Sequence, residues 1–130
     1  MEETPKLPRS HLQREKVLSR SVVGPPRRGL KLTYAVDTRP CQEVTKLAAG
    51  SDLLIHDSCF DESAASKARD YGHSTAGEAA SVAKKGKVRK LALFHISAMY
   101  EDPTPLLKEA RRVFPHTILC KDMETVHISP

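Results

Sequence analysis

The stretch KLALFHIS, residues 90–97, sets an almost unbroken apolar run, Leu91, Ala92, Leu93, Phe94 and Ile96, around a single imidazole, His95. Apolar residues without alternation describe a strand buried on both faces, as in a parallel sheet covered by helices. In such sheets functional groups gather beyond the carboxyl ends of the strands, so a histidine at this point marks one edge as the place for chemistry.

Upstream, HSTAGEAASVAKKG (73–86) gives the cleanest helix signal. Thr75 and Glu78 have capping-box spacing, Ala76, Ala79, Ala80 and Ala83 form a small apolar face, and Gly86 ends the run. Downstream, Asp102 caps a helix with Pro103 at its start and Leu106, Leu107, Ala110, Val113 and Phe114 on its inner face. LKLTYAV (30–36) reads as a strand stopping at Asp37, and DLLIHDS (52–58) as another stopping at His56 and Asp57. Between them PCQEVTKLAAG (40–50) is a short helix closed by Gly50, and a polar helix runs from Glu62 to Tyr71. HTILCKD and ETVHIS end the chain as two short strands, read as a pair. The rhythm is α/β, with mostly parallel strands and crossover helices. Crossovers bring the ends at Asp37, His56-Asp57 and His95 to one edge.

The totals fit one domain: 130 residues, 39% apolar and 28% charged, with no run of about 18 apolar residues to cross a bilayer. The opening MEETPKLPRSHLQREK lacks the apolar centre of a secretory signal, so a cytoplasmic location without a membrane partner is expected. Residues 1–20 read as a loose basic leader and 21–130 as the folded part. The net charge of +5 belongs to the front: residues 1–31 hold eight Lys/Arg against three acids, and the remainder thirteen of each. Such a segment can steer a polyanion, although solvated surface is the commoner role. Cys41, Cys59 and Cys120 are widely spaced, which excludes a disulfide framework and a cysteine-built zinc knuckle.

Carboxylate and imidazole converging from separate strands suit borderline or hard divalent metals. Taken singly, each residue also has a structural reading. A histidine at a strand end can be a hydrogen-bonded core residue, Asp37 can cap the next helix, His56 can hold a loop, and His73 can staple its helix.

Several motifs together decide between these. VVGPPRRGLKLTYAVDTRPC, SDLLIHDS, GHSTAGEAA and LALFHISAMY, followed by an acidic-proline helix start and VFP, resemble in order and spacing the C-terminal half of ribonuclease Z. That family comprises zinc-dependent endonucleases that mature transfer RNA 3′ ends, within the metallo-β-lactamase fold. The resemblance implies half of an αββα sandwich, two zinc ions in the complete site and precursor tRNA as substrate. It matches Asp37 to the metal-bridging aspartate, His95 to a terminal zinc histidine, and His73 to a catalytic histidine beside the scissile phosphate.

The family's H-x-H-x-D-H motif is absent: the nearest two histidines are His116 and His127. Asp37 and His95 fall short of the roughly three protein ligands of a catalytic zinc, so substoichiometric zinc and a requirement for a complementary N-terminal half are expected. An uncovered sheet face, with Leu91, Leu93 and Phe94 as its candidates, predicts self-association into a homo-oligomer. Three local departures accompany this. Val36 replaces the glycine before the aspartate, His56-Asp57-Ser58-Cys59 replaces HEAT, and Met99 replaces an arginine that would fork onto phosphate. An RNA-binding or oligomerisation module without catalysis, and a metallo-hydrolase of another phosphodiester or ester, stay open beside the nuclease reading.

Overall fold

The computed structural model describes residues 16–130. Strand β1 (Leu32–Ala35), helix α1 (Gln42–Ala48), strand β2 (Leu53–Asp57), helices α2 (Ala65–Tyr71) and α3 (Ala76–Lys85), strand β3 (Leu91–Phe94), helix α4 (Thr104–Val113) and strand β4 (Thr117–Leu119) follow in order. The strands form one parallel sheet, β1-β2-β3-β4. Every connection carries a helix, as parallel neighbours require. The leader read at residues 1–20 lies largely outside the described residues. Of it, residues 16–20 are exposed and lead into a single 3-10 turn, Ser19–Ser21.

The two-residue side-chain period sorts the sheet into unlike faces. Leu54 pairs with Leu91, and Ala35 and Leu93 both pair with His56, which places these residues on one face. There Leu54, Leu91 and Leu93 are fully buried against Ala76, Ala79, Ala80 and Ala83 of α3 and Leu106 and Ala110 of α4. A methyl-only stripe lets α3 sit close enough to touch both β2 and β3. The expected capping box is present: Thr75 accepts from the Glu78 N–H, and Glu78 reaches back to the Thr75 N–H.

The opposite face is partly bare, with Leu32 and Tyr34 53% and 59% exposed and Phe94 38%. Of the expected exposed residues only Phe94 is there. Leu91 and Leu93 have the other parity and lie under α3, and β1 supplies the exposed surface instead. The expected C-terminal strand pair also does not form. HTILCKD contains β4, but ETVHIS (124–129) pairs with no strand among the described residues. Met123, at φ 62°, turns the chain away from β4. Cys120 to Glu124 and Val126 then line a groove with Leu32, Tyr34, Leu53, Ile55 and Phe94, and the Ser129 carbonyl accepts from Arg89 Nη1 at 2.8 Å. The segment thus runs beside the open face instead of adding a fifth strand.

At the amino edge of the sheet, Asp52 ties three segments together. Its Oδ2 accepts from the Lys31 N–H at 2.8 Å, and its Oδ1 from Arg28 Nη2 at 2.7 Å and Arg89 Nη1 at 3.0 Å. The Lys31 N–H first, then Arg89 and Arg28, lower its pKa from 3.8 to about 2. A depressed carboxylate adds stability above its unfolded value, and that stability disappears as pH falls through the folded value. Asp52→Asn should therefore lower the melting temperature at pH 7, with the deficit closing between pH 4 and pH 2, as followed by circular dichroism. A deficit constant across that window would show that Asp52 does not act through its charge.

Candidate metal centre

Three parallel strands deliver their carboxyl ends to one edge. Asp57 is the last residue of β2, His95 follows β3 directly, and Asp37 stands two residues beyond β1. His73 arrives differently, from the loop between α2 and α3. Gly72, in the left-handed region at φ 76°, closes α2 and redirects the chain, and the His73 N–H bonds back to the Ala68 carbonyl at 2.8 Å. Arg39 holds the next layer: its two Nη atoms fork onto Glu78 at 2.7 and 2.8 Å, and Nη1 also donates to the His73 carbonyl. Burial raises the Glu78 pKa, but the bonds from Arg39 and the Thr75 N–H outweigh it and leave the carboxyl below its usual range. The capping box of α3 and the position of His73 thus share one ion pair.

Asp57 is the centre of the arrangement. Its side chain has no exposed surface. Oδ1 accepts from the Cys59 N–H at 3.2 Å and the Ser74 N–H at 3.1 Å, and Oδ2 from the Thr38 N–H at 3.2 Å and His73 Nδ1 at 2.9 Å. His95 Nδ1 lies 3.4 Å from the same Oδ2. A carboxylate only accepts, so the proton of the His73 bond is assigned to Nδ1 and the ring lone pair to Nε2. A carboxylate behind an imidazole is the arrangement that orients metal-ligating histidines. The two rings lie 5.1 Å apart between centroids.

Asp37, Asp57, His73 and His95 each offer a ligand atom within 4.8 Å of the others, and a second set joins Cys59 to the same two histidines. Two carboxylates and two imidazoles make a donor set that a borderline or hard divalent ion accepts. All three residues singled out in the sequence, Asp37, His73 and His95, are in this cluster. Asp57 was read only as part of the His56-Asp57 strand end at that edge, with no role of its own, and Cys59 was not singled out. The signal for Asp57 was the paired polar ending His56-Asp57, whose parity sends the two side chains to opposite faces, but sequence alone does not say which face bears the site. His56 turns inward: it is fully buried on the helix side, bonds the Asp57 carbonyl through Nδ1 at 2.7 Å, and burial lowers its pKa. Burial, then the negative Asp57 and Asp37, push the Cys59 thiol upward. Met99 is 58% exposed.

Comparison with known proteins gives partial matches. No family model matches the chain. Ribonuclease Z of Methanothermobacter thermautotrophicus is 45% identical over 112 residues, covering 86% of this chain and 36% of its own. Ribonuclease Z of Saccharolobus islandicus is 50% identical over 100 residues, covering 77% and 34%. This segment is similar to part of proteins named Ribonuclease Z. Among solved structures, the long form RNase Z from yeast superposes with TM-score 0.61 at 31% identity over 70% of this chain and 12% of that one. Human tRNase Z, short form, gives 0.53 at 30% identity, covering 66% and 28%. The metallo-β-lactamase fold protein YhfI of Bacillus subtilis, with TM-score 0.67 at 23% identity over 75% of this chain, shares the fold. The ribonuclease Z relatives are matched over about a third of their length (36% and 34%), less than the half read from the motifs.

The backbone of this segment is strained where its donors stand. Asp37 and His95 are non-glycine residues at positive φ, 57° and 61°. Val36, which replaces a glycine of the family pattern, is not among the positive-φ residues, so its branched side chain meets no such demand. Backbone held in the left-handed region costs of order 1–3 kcal/mol and is kept where it aims a side chain. The Asp37 side chain is 75% exposed and 3.6 Å from His73 Nδ1, a separation at which an exposed pair stabilises little. Asp37→Gly should consequently leave stability unchanged or raise it by up to about 1 kcal/mol, and Asp37→Val should cost about 1–3 kcal/mol. Urea unfolding of the two variants checks this. A glycine variant less stable than the valine one would show that no strain resides at this position.

Proposed function

We propose that the chain supplies the Asp37, Asp57, His73 and His95 rim of a zinc-dependent, ribonuclease Z-type phosphodiesterase acting on precursor transfer RNA, the rest of the fold completing the site. The observation that carries this reading is the convergence of these four side chains at the carboxyl edge of a sheet that is 45% identical to a protein named Ribonuclease Z. Asp37 and His95 would hold zinc, together with donors from the remaining part of the fold, because two ligands fall short of the roughly three that a catalytic zinc takes from protein. Zinc would supply charge stabilisation at phosphate oxygens and a nucleophilic hydroxide near neutral pH.

The chain's own residues have distinct tasks in this reading. Asp57 accepts a hydrogen bond from His73 Nδ1–H, which leaves Nε2 as the atom that would pass a proton drawn from solvent to the leaving oxygen. Arg39, clamped to Glu78 and to the His73 carbonyl, keeps that histidine from drifting. The bare sheet face supports the need for a complement. Leu32, Tyr34 and Phe94 are apolar side chains on a layer that two-layer folds cover with a second sheet.

The test supplies this chain with the remaining part of the Methanothermobacter thermautotrophicus relative and measures cleavage of a tRNA precursor with a 3′ trailer. Zinc-dependent cleavage is expected, and Asp37→Ala and His95→Ala should each reduce it by more than the 10–100-fold that outer partners of a metal typically cost. Undiminished cleavage by Asp37→Ala would refute the assignment.

A further inference from the structure

The two edges of the sheet carry opposite charge. Toward the carboxyl edge lie Asp37 and Asp57 and, in the segments that leave β2 and β3, Asp61, Glu62, Glu101 and Asp102. The amino edge is built from the segments that enter the strands and from the helix ends before them, residues 27–31, 46–52, 84–90 and 111–116. Those segments hold eleven Lys/Arg and a single acid. The acid is Asp52, which is buried and already shared by Arg28 and Arg89. The densest part is KKGKVRK, residues 84–90, and no acid occurs between Glu78 and Glu101.

The fold itself uses part of this charge. Lys46, Lys84, Lys85, Arg111 and Arg112 stand in the last turns of α1, α3 and α4, where a cation meets the negative end of the helix dipole. Lys31 Nζ donates to the Ala49 carbonyl at 2.9 Å, and Arg111 Nε to the Thr117 carbonyl at 3.0 Å. Lys87 and Lys90 lie beyond any helix. Among the described residues Lys84, Lys85, Lys87, Lys90 and Arg112 form no ion pair. The turn after α3 displays its lysines: Gly86 and Val88 are buried, whereas Lys84, Lys85 and Lys87 are exposed. Lys87 is presented at φ 50°, in left-handed backbone that glycine adopts more readily. The Gly50 N–H donates to the Gly86 carbonyl at 2.9 Å and the Arg89 N–H to the Ser51 carbonyl at 2.9 Å, so this turn is fastened to the loop after α1. The cations are thereby held as one surface, complementary to an extended anion.

We infer that this amino edge docks the phosphodiester backbone of duplex RNA, without regard to sequence. No Phe, Tyr or Trp is exposed in these segments, so the surface offers cations to phosphates and no such ring to stack an unpaired base, which favours a duplex over a single strand. The five residues of β2 separate the two edges by about 16 Å, which makes this contact distinct from the donor edge. The choice of RNA rests on the nuclease reading; the placement of the cations does not.

The test measures binding of the full chain to a blunt RNA duplex without a 3′ trailer, in the presence of chelator, by fluorescence anisotropy. Neither zinc nor cleavage enters this readout. About four phosphate contacts imply a slope of about −3.6 in log K against log salt, so that passing from about 50 to 200 mM salt weakens binding about a hundredfold. The triple variant Lys84→Glu, Lys85→Glu, Lys87→Glu should weaken binding about tenfold or more and flatten the slope by about 3. The triple variant Lys67→Glu, Lys108→Glu, Lys121→Glu, with the same change in charge placed on α2, on α4 and after β4, should keep the slope. In the wild-type chain the duplex should protect Lys84, Lys85, Lys87 and Lys90 from acetylation, as read by mass spectrometry. Equal loss in both triple variants, protection confined to Lys6 and Lys16, or tighter binding of a DNA duplex of the same length would each overturn the inference. Failure of precursor cleavage with duplex binding intact removes only the nuclease reading, and the converse removes only this one.

Discussion

A carboxyl group taken wholly out of water must find its hydrogen bonds inside the protein, and Asp57 is such a group. It meets the requirement by drawing donors from four places: the loop after β1 through Thr38, its own turn through Cys59, the loop before α3 through Ser74, and the ring of His73. His95 closes from a fifth. Leaving one such acceptor unmatched costs about 1–3 kcal/mol, so the loops cannot rearrange independently. The convergence of donor side chains at the sheet edge is in this sense a consequence of burying one carboxylate at the end of the second strand. The left-handed backbone at Asp37 and His95 is what the loops bear to fit around it.

Much of this was legible in the residues. The apolar run ending at His95, the capping box at Thr75 and Glu78, and glycines at 50 and 72 in left-handed backbone each follow from local chemistry, and local chemistry is what short stretches encode. Parallel order followed from strand and helix alternation, and with it the meeting of Asp37 and His95. Less legible was which side of each strand faces outward. Leu91 and Leu93 look no more buried than Leu32 in a list of residues, and only the pairing of Leu54 with Leu91 separates them. The ETVHIS segment failed as a strand for the same reason. Its alternation is genuine, but a strand needs a partner, and past Met123 the chain leaves the line of β4 and runs beside the open face. The roles of Asp57 and Cys59 stayed hidden because they are set by contacts across 15 to 40 positions of chain, which no spacing rule within a motif reports.

The sheet has one finished face and one unfinished one. Helices α1, α3 and α4 close the first with alanine-lined contacts, and a single crossing segment half covers the second. The match over about a third of the length of its ribonuclease Z relatives agrees with this asymmetry. The donor edge is built from the carboxyl ends of β1, β2 and β3 and the loop before α3, whose strands pack against the finished face.

The central claim is that the buried Asp57 carboxylate sets the state and position of His73. Long-range proton–nitrogen NMR correlation of the histidine rings tests it directly, comparing the wild-type chain with Asp57→Asn. His73 in the wild-type protein should be the Nδ1–H tautomer with a proton held in a hydrogen bond, and the substitution should shift both His73 and His95 ring nitrogens together. A His73 ring protonated on Nε2 at neutral pH, with spectra indifferent to residue 57, would contradict it.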